Sequence, residues 1–258
     1  MLTLYDNPFS PFARKVRMVL RFKGLEFFSI DALAVSEHGR LAAVNPRGEV
    51  PVVVDGSVTV TGSADIVSYL EDRFPTPAVF PGTPELRAKA RGWQRFADTA
   101  LDALLHDISI WSWPTHHRSD EPPKRILEVG REDLRKILAK LEDALDASGF
   151  VCGELSIADL SLYPHVSSLK PLGIRLEESM YPKIFRWNRE MRLQRAVAED
   201  LGYVKRCLVE KFESGQSPYE AEKIVWRGDR IEWLLAHGFG EWLLAELAAG
   251  RAVVPRWV

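Results

Sequence analysis

Cysteine is scarce: Cys152 and Cys207 are the two in 258 residues. They stand far apart in the chain, so neither a paired redox motif nor a thiolate metal site can be read from them. Two free thiols in a reducing cytoplasm are expected. Charge of one sign is lacking too. Against 34 Lys and Arg stand 36 Asp and Glu, a formal net charge of −2. That balance gives no field to draw nucleic acid or an anionic membrane. No apolar run approaches the roughly 20 residues of a membrane span. Residues 2–5, LTLY, enter a strand-like pattern where a signal peptide would place its apolar stretch. A cytoplasmic location is the expectation. Internal repeats and low-complexity segments are missing as well. The 46% hydrophobic and 27% charged content is that of a globular chain, long enough for one large domain or two ordinary ones.

What is present falls into two parts. LTLY reads as a first strand and residues 11–23 as a helix, with Phe12, Val16, Val19 and Leu20 on its apolar face and Gly24 ending it. LEFFSI is a second strand, and HGRLAAV leads a weaker helix to Asn45. VPVVVDGSVTVTG reads as a β-hairpin turning at Asp55-Gly56. SADIVSYLEDRF is a helix with Ser63 as its N-cap. The order is βαβ, a helix, then ββα. Residues 75–84 hold four prolines without periodicity and read as a linker. Beyond them the pattern is helical. Leu86, Ala90, Trp93, Ala97, Ala100, Leu101, Leu104 and Ile108 form one stripe. LEVGREDLRKILAKLEDAL is a second amphipathic helix with i,i+4 charge pairs. SIADLSLYPHVSSL, YPKIFRWNREM and VAEDLGYVKRCLVEKF follow.

Four stretches carry a family resemblance: SPFARKVRMVLRFKGLEF, NPRGEVPVVVDG, GSADIVSYLE and LSIADLSLYP. Each alone is weak. Together, in this order and spacing over roughly residues 1–210, the chain resembles the glutathione S-transferase (GST) family, in its serine-type, bacterial-type form. The resemblance implies an α/β, thioredoxin-like N-terminal domain (βαβαββα, mixed sheet) followed by an all-α domain. The implied boundaries are 1–74 for the first domain, 75–84 for the linker and 85–213 for the helical domain, with 214–258 as an extension packed on the body. It also implies glutathione as co-substrate, no metal, a small-molecule electrophile, and a homodimer.

Ser10 is the central candidate. It precedes Pro11, and proline suits the first residue inside a helix. Ser10 is thereby an N-cap, where free N–H groups and the helix dipole favour an anion. A hydroxyl accepts one such N–H and still donates its own proton. Capping and stabilising a glutathione thiolate are therefore compatible roles. Serine, unlike cysteine, forms no mixed disulfide, which disfavours glutaredoxin-like chemistry. By resemblance, Val50-Pro51 is a cis bond whose Val50 backbone pairs with the cysteinyl part of glutathione, with a simple loop proline as the bland alternative. Ser63, with the N–H groups opening its helix, would hold the γ-glutamyl carboxylate. His38 is a further candidate for glutathione, against the bland reading of a solvated helix face. For the electrophile, Phe12, Trp111 and Trp113 are candidates between the domains, against the bland reading of core packing. His106, His116 and His117 do not make a metal set.

Two positions depart from the family pattern. Gly62 stands where the family places Glu or Gln on the γ-glutamyl amine. Losing that charge-assisted bond costs about 1.5–3 kcal/mol, roughly tenfold to a hundredfold in affinity. Asp65 either supplies a carboxylate there or is simply a first-turn acid. Glu49 stands where several classes carry Lys or Gln near the glycyl carboxylate. Arg14, Lys15, Arg17 and Arg21 read as solvated, ion-paired helix faces, and Ser156 with Asp159 as a structural capping box. Residues 214–258 exceed the usual family length and carry four of the eight tryptophans: Trp226, Trp233, Trp242 and Trp257. Two short helices are expected there, about 229–237 and 239–249. The functional expectation is a glutathione transferase using Ser10, with lyase or isomerase chemistry on the same site left open. A non-catalytic binding or scaffold protein on the same fold is the alternative.

Overall fold

A computed structural model of the chain describes residues 1–32, 34–109, 121–146, 149–212, 224–225 and 228–253. Strand β1 (Leu2–Asp6) runs parallel to β2 (Phe27–Asp31) and antiparallel to β3 (Val52–Asp55), which pairs with β4 (Val58–Thr61). The sheet order is β2-β1-β3-β4. A parallel pair needs a crossover, and α1 (Pro11–Phe22) supplies it. Side chains alternate across the sheet at period two. Leu2, Leu4 and Val53 face α1 and α3 (Ser63–Arg73), while Tyr5, Ile30 and Val52 face Leu41 of α2 (His38–Val44), which follows a 3-10 turn at Val35–Glu37.

Gly24 ends α1 as expected. At φ +67° it lets its N–H reach Arg21 O (3.0 Å) while Leu25 N–H reaches Leu20 O (2.9 Å), a Schellman closure. The hairpin turns one residue later than the sequence suggests. Asp55 pairs with Val58, so the loop is Gly56-Ser57, with Gly56 at φ +59°. Asp55 stays in β3, where its carboxylate accepts from Tyr69 Oη of α3 at 2.9 Å.

The proline-rich segment is a pinned connection rather than a flexible one. The buried Lys23 donates to Phe74 O (2.7 Å) and Pro77 O (2.8 Å) and pairs with Glu71 (2.7 Å). Glu71 in turn accepts Val79 N–H (3.1 Å) and Phe80 N–H (3.3 Å), and both residues are buried. Thr83 then caps α4 (Pro84–Phe96).

The long stripe after it is not one helix. A π-helical turn at Ala97–Leu101 separates α4 from α5 (Asp102–Ser109). The wider turn shifts the phase. Leu101 therefore continues the buried row of Ala90, Trp93 and Ala97, whereas Ala100, expected in that row, is exposed. Helix α6 (Ile126–Ala144) meets α5 at Gly130, where a β-carbon would lie 3.2 Å from Ile108 Cγ1. Helix α7 (Ile157–Ser168) is buried against α1 and α4, and α8 (Pro182–Leu193) and α9 (Arg195–Phe212) close the bundle. The expected capping box is present: Asp159 accepts Ser156 N–H and Oγ at 3.0 Å. Its other oxygen accepts Val151 N–H and Trp187 Nε1, also at 3.0 Å.

In the tail, α10 (Gly228–Ala236) and α11 (Gly240–Ala248) fall where two helices were expected, beside a short parallel pair, β5 (Ile224–Val225) and β6 (Ala252–Val253). Leu234, Leu243 and Ala252 cluster with Ile126 at the start of α6. Trp233 Nε1 donates to Asp133 at 2.9 Å, and its ring stacks with His237 and Phe239. Trp226 and Trp257 lie outside the described residues.

Candidate active site

The approach to Ser10 is built by one asparagine. After β1 ends at Asp6, Asn7 Oδ1 accepts Phe9 N–H (2.9 Å) and Ser10 N–H (3.3 Å), and Asn7 O accepts Ser10 N–H (3.1 Å). This Asx turn delivers Ser10 in an extended conformation (φ −63°, ψ 122°) with Pro11 next. Ser10 Oγ accepts Ala13 N–H at 3.4 Å, so Ser10 caps α1 as the sequence suggests. The hydroxyl proton is left to donate, and the helix N-terminus favours an anion beside it.

The sheet register places the other candidate segments at the same end. Val52 pairs with Tyr5 on one side and with Thr61 on the other. Val50 and Pro51 immediately precede Val52, Gly62 and Ser63 immediately follow Thr61, and the loop to Ser10 leaves just after Tyr5 and Asp6. The Val50-Pro51 bond is cis, and Val50 packs into the cluster around Tyr5. The expected N-cap at Ser63 requires correction. Gly62, at φ +82°, takes the cap position and its carbonyl accepts Ile66 N–H at 2.9 Å. Ser63 is thereby the first residue inside α3, and it is buried.

Two profiles of the glutathione S-transferase family match the chain, that of its N-terminal domain over residues 4–78 and that of its C-terminal domain over residues 97–189. Glutathione S-transferase A of Pleuronectes platessa is 30% identical over 195 residues, spanning 71% of this chain and 83% of its own. The chain belongs to the glutathione S-transferase family. Maleylacetoacetate isomerase of Pseudomonas aeruginosa is 27% identical over 192 residues, covering 72% of this chain and 88% of the isomerase. A crystal structure of a glutathione S-transferase from Rhodospirillum rubrum superposes with a TM-score of 0.69 at 25% identity, covering 78% of this chain and 92% of that one. The expected GST fold is thus established. Family members bear different activities in their names, so membership alone does not set the reaction.

Around this GST site, three features sharpen or correct what the sequence suggests. First, the basic residues of α1 are ion-paired as expected, but three of them are buried rather than solvated. Arg14, Lys15 and Arg17 are 4%, 1% and 1% exposed. Arg17 sits between Asp6 (2.6 Å) and Asp200 (2.8 Å), Arg14 pairs with Asp200 (2.9 Å), and Lys15 pairs with Asp98 (2.5 Å). Burial alone would raise the Asp200 carboxyl; Arg17 and Arg14 outweigh it and hold the group below the usual carboxylate range. Burial, with Asp200 nearby, pushes the Asp6 carboxyl up despite Arg17 and the Ser29 hydroxyl, which donates to it at 3.2 Å. Asp98 and Asp200 were missed because they lie far along the chain, in the π-helical turn and on α9; Asp6 lies on β1, outside the helix whose faces were read. The signal available was the i, i+3, i+7 spacing of Arg14, Arg17 and Arg21, which puts all three on one helix stripe.

Second, Glu49 is neutralised where it stands. Arg47 Nε and Nη2 meet its two oxygens at 2.9 and 2.8 Å. Arg40 pairs instead with Glu37 at 2.9 Å. His38 opens α2 on an exposed surface, and among the described residues no hydrogen bond ties it to Ser10, Val50 or Ser63. Third, the Asp65 carboxylate folds back over Gly62: Oδ2 lies 3.0 Å from where a β-carbon on Gly62 would be.

Phe12, the second residue of α1, is half-buried and meets the buried His165 of α7 edge-on, with ring centroids 6.4 Å apart. His165 Nδ1 lies 4.0 Å from Asp102 Oδ1 of α5. Sequence reasoning passed over both. Trp111 and Trp113, proposed from the sequence for the electrophile, lie outside the described residues, as do His116 and His117. Among the described residues no three His, Cys, Asp or Glu side chains are grouped to hold a metal. Both cysteines are buried, and burial pushes their thiols up, away from thiolate chemistry. No described helix is long and apolar enough to cross a membrane.

Proposed function

We propose that this GST-family protein activates glutathione as its thiolate at Ser10 and transfers it to a small hydrophobic electrophile. The observation that supports the reading is Ser10 itself: its oxygen accepts Ala13 N–H at the N-terminus of α1, and its own O–H is available to donate to a ligand there. A free thiol has a pKa near ~8.5 and is mostly protonated at neutral pH. A hydroxyl donor and the positive end of a helix both favour the thiolate. The thiol proton leaves to solvent, and the sulfur forms the new bond to the electrophile as the leaving group departs. In this reading the Val50 backbone, before Pro51, pairs with the peptide part of glutathione as a short added strand. Ser63 and the first turn of α3 hold its γ-glutamyl carboxylate. Phe12 forms part of the apolar wall for the electrophile.

Ser10→Ala removes one hydrogen bond to a charged sulfur, a loss of about 1.5–3 kcal/mol. Glutathione-dependent turnover of an aryl halide is expected to fall by roughly tenfold to a hundredfold, beyond the small drop in unfolding midpoint that follows from losing the α1 cap, about 0.5–2 kcal/mol. Unchanged turnover would remove Ser10 from the reaction. One observation favours the second reading, a GST-fold binding protein with little affinity for glutathione. Gly62 offers no side chain to the ligand, and its positive φ is a conformation that Glu or Gln rarely adopts. Calorimetric titration separates the two: millimolar or tighter glutathione binding supports the enzyme, and absence of heat supports the binding protein.

A further inference from the structure

We propose that Arg17 is a positioning residue for Ser10, beyond its part in the ion-pair cluster between β1, α1 and α9. The inference rests on the reading of Ser10 as hydrogen-bond donor to a thiolate.

The cap bond of Ser10 is long, 3.4 Å to Ala13 N–H, so it does not by itself fix the hydroxyl. The backbone of residues 7–9 has to do so; the Asn7 side chain shapes that turn and the Arg17 guanidinium holds its carbonyls. Arg17 Nη2 donates to Pro8 O at 3.0 Å, and Nη1 donates to Asn7 O at 3.4 Å and to Asp6 at 2.6 Å. Nε donates to Asp200 of α9 at 2.8 Å. All three nitrogens of the planar fork are engaged, and the side chain is 1% exposed. Arg17 thereby registers the peptide leading to Ser10 against α9 of the helical domain. Lysine can carry the charge but cannot span these acceptors in one plane. Arg14 is the internal comparison. It is buried on the same helix and shares Asp200, but its other bonds go to Pro164 O and Ser167 Oγ of α7, both at 3.1 Å.

The test compares Arg17→Lys, Arg14→Lys and Ser10→Ala by the pH dependence of kcat/KM with glutathione and an aryl halide. In Arg17→Lys the acid limb moves to higher pH and kcat falls about tenfold or more, while the KM for glutathione stays within about threefold. Arg14→Lys leaves the limb in place. A limb and kcat unchanged in Arg17→Lys, while Ser10→Ala loses turnover, overturn the inference alone. Equal losses in the two lysine variants without a limb shift also overturn it, since Arg17 is then an ion pair and nothing more. An inert Ser10→Ala, or no glutathione turnover in the wild type, overturns the reading of Ser10 and the inference with it. If Arg17→Lys does not fold, Asp200→Asn keeps the guanidinium and loosens its anchor. The limb then moves the same way, and an unmoved limb overturns the inference.

Discussion

Asp200→Ala should be the most damaging single truncation in the contact between the sheet domain and the helices. The carboxylate is fully buried and holds Arg14 Nε at 2.9 Å and Arg17 Nε at 2.8 Å. Alanine leaves both guanidinium groups out of water with one buried carboxylate, Asp6, on Arg17 alone. Removing one partner of a buried ion pair costs about 3–5 kcal/mol, because the charge left behind has lost its solvation without replacement. A folded domain is stable by only about 5–15 kcal/mol, so the loss is a large share of the whole. Urea unfolding measures it as a lower midpoint at unchanged slope. The charge explanation makes a second statement that lost packing does not. Arg14→Met with Asp200→Leu removes opposite charges together and leaves Arg17 paired with Asp6. That double variant is expected to lie closer to wild type than Asp200→Ala. A loss below about 1 kcal/mol for the alanine variant, or a double variant less stable than the single, refutes the reasoning. The pH dependence follows in sign. Arg17 and Arg14 outweigh burial and hold Asp200 below the usual carboxylate range. A depressed pKa contributes stability above the unfolded value that is lost as pH falls through the folded one. The contribution is therefore whole at neutral pH and disappears only in acid, below the usual aspartate range.

Two further perturbations test other parts of the fold. Trp233→Phe keeps the ring stacked between His237 and Phe239 but removes its donor to Asp133, and about 1 kcal/mol of tail docking with it, read by limited proteolysis of the α10–α11 tail. Lys136 and Trp233 outweigh burial and hold Asp133 below the usual carboxylate range, so wild-type docking persists at neutral pH and weakens in acid. Tryptophan fluorescence that stays constant as the pH falls below that range would contradict this. Gly62→Ala places a β-carbon 3.0 Å from Asp65 Oδ2 at a backbone φ of +82°. A loss of about 1–2 kcal/mol is expected, seen as a lower unfolding temperature. Restoring Glu or Gln at this position brings the same backbone strain.

The sheet domain was legible because its rules are local. Leu2, Leu4 and Val53 against Tyr5, Ile30 and Val52 is an alternation visible in the letters, and β1 and β2 need a crossover that the α1 pattern fills. Ser10 was legible for the same reason: a serine before a proline at the start of an amphipathic run is an N-cap wherever it occurs. The errors of one residue at the hairpin and at Gly62 come from glycine. Gly56 and Gly62 reach positive φ and move a turn or a cap by one place, a freedom that no side-chain pattern announces. Ala100 was misplaced because a π-helical turn changes the period in mid-helix, and its composition is that of any helix.

The basic residues of α1 are ion-paired as read, but their burial went unread for a different reason, and that bears on function. A charged side chain is read as solvated because burying it alone is prohibitive. What makes the burial of Arg14, Arg17 and Lys15 affordable is a set of acids far along the chain: Asp200 on α9 and Asp98 in the π-helical turn. Asp6, on β1, completes the set around Arg17. No window of sequence contains both halves of the pairs to Asp98 and Asp200. The same nonlocal pairing ties the loop before Ser10 to the helical domain, so the part of the site hardest to read is the part that joins the two domains. The three arginines at i, i+3 and i+7 are the one local trace of it. A stripe of like charges along a helix face is unfavourable in water, and it makes sense only when an acid from another element faces it.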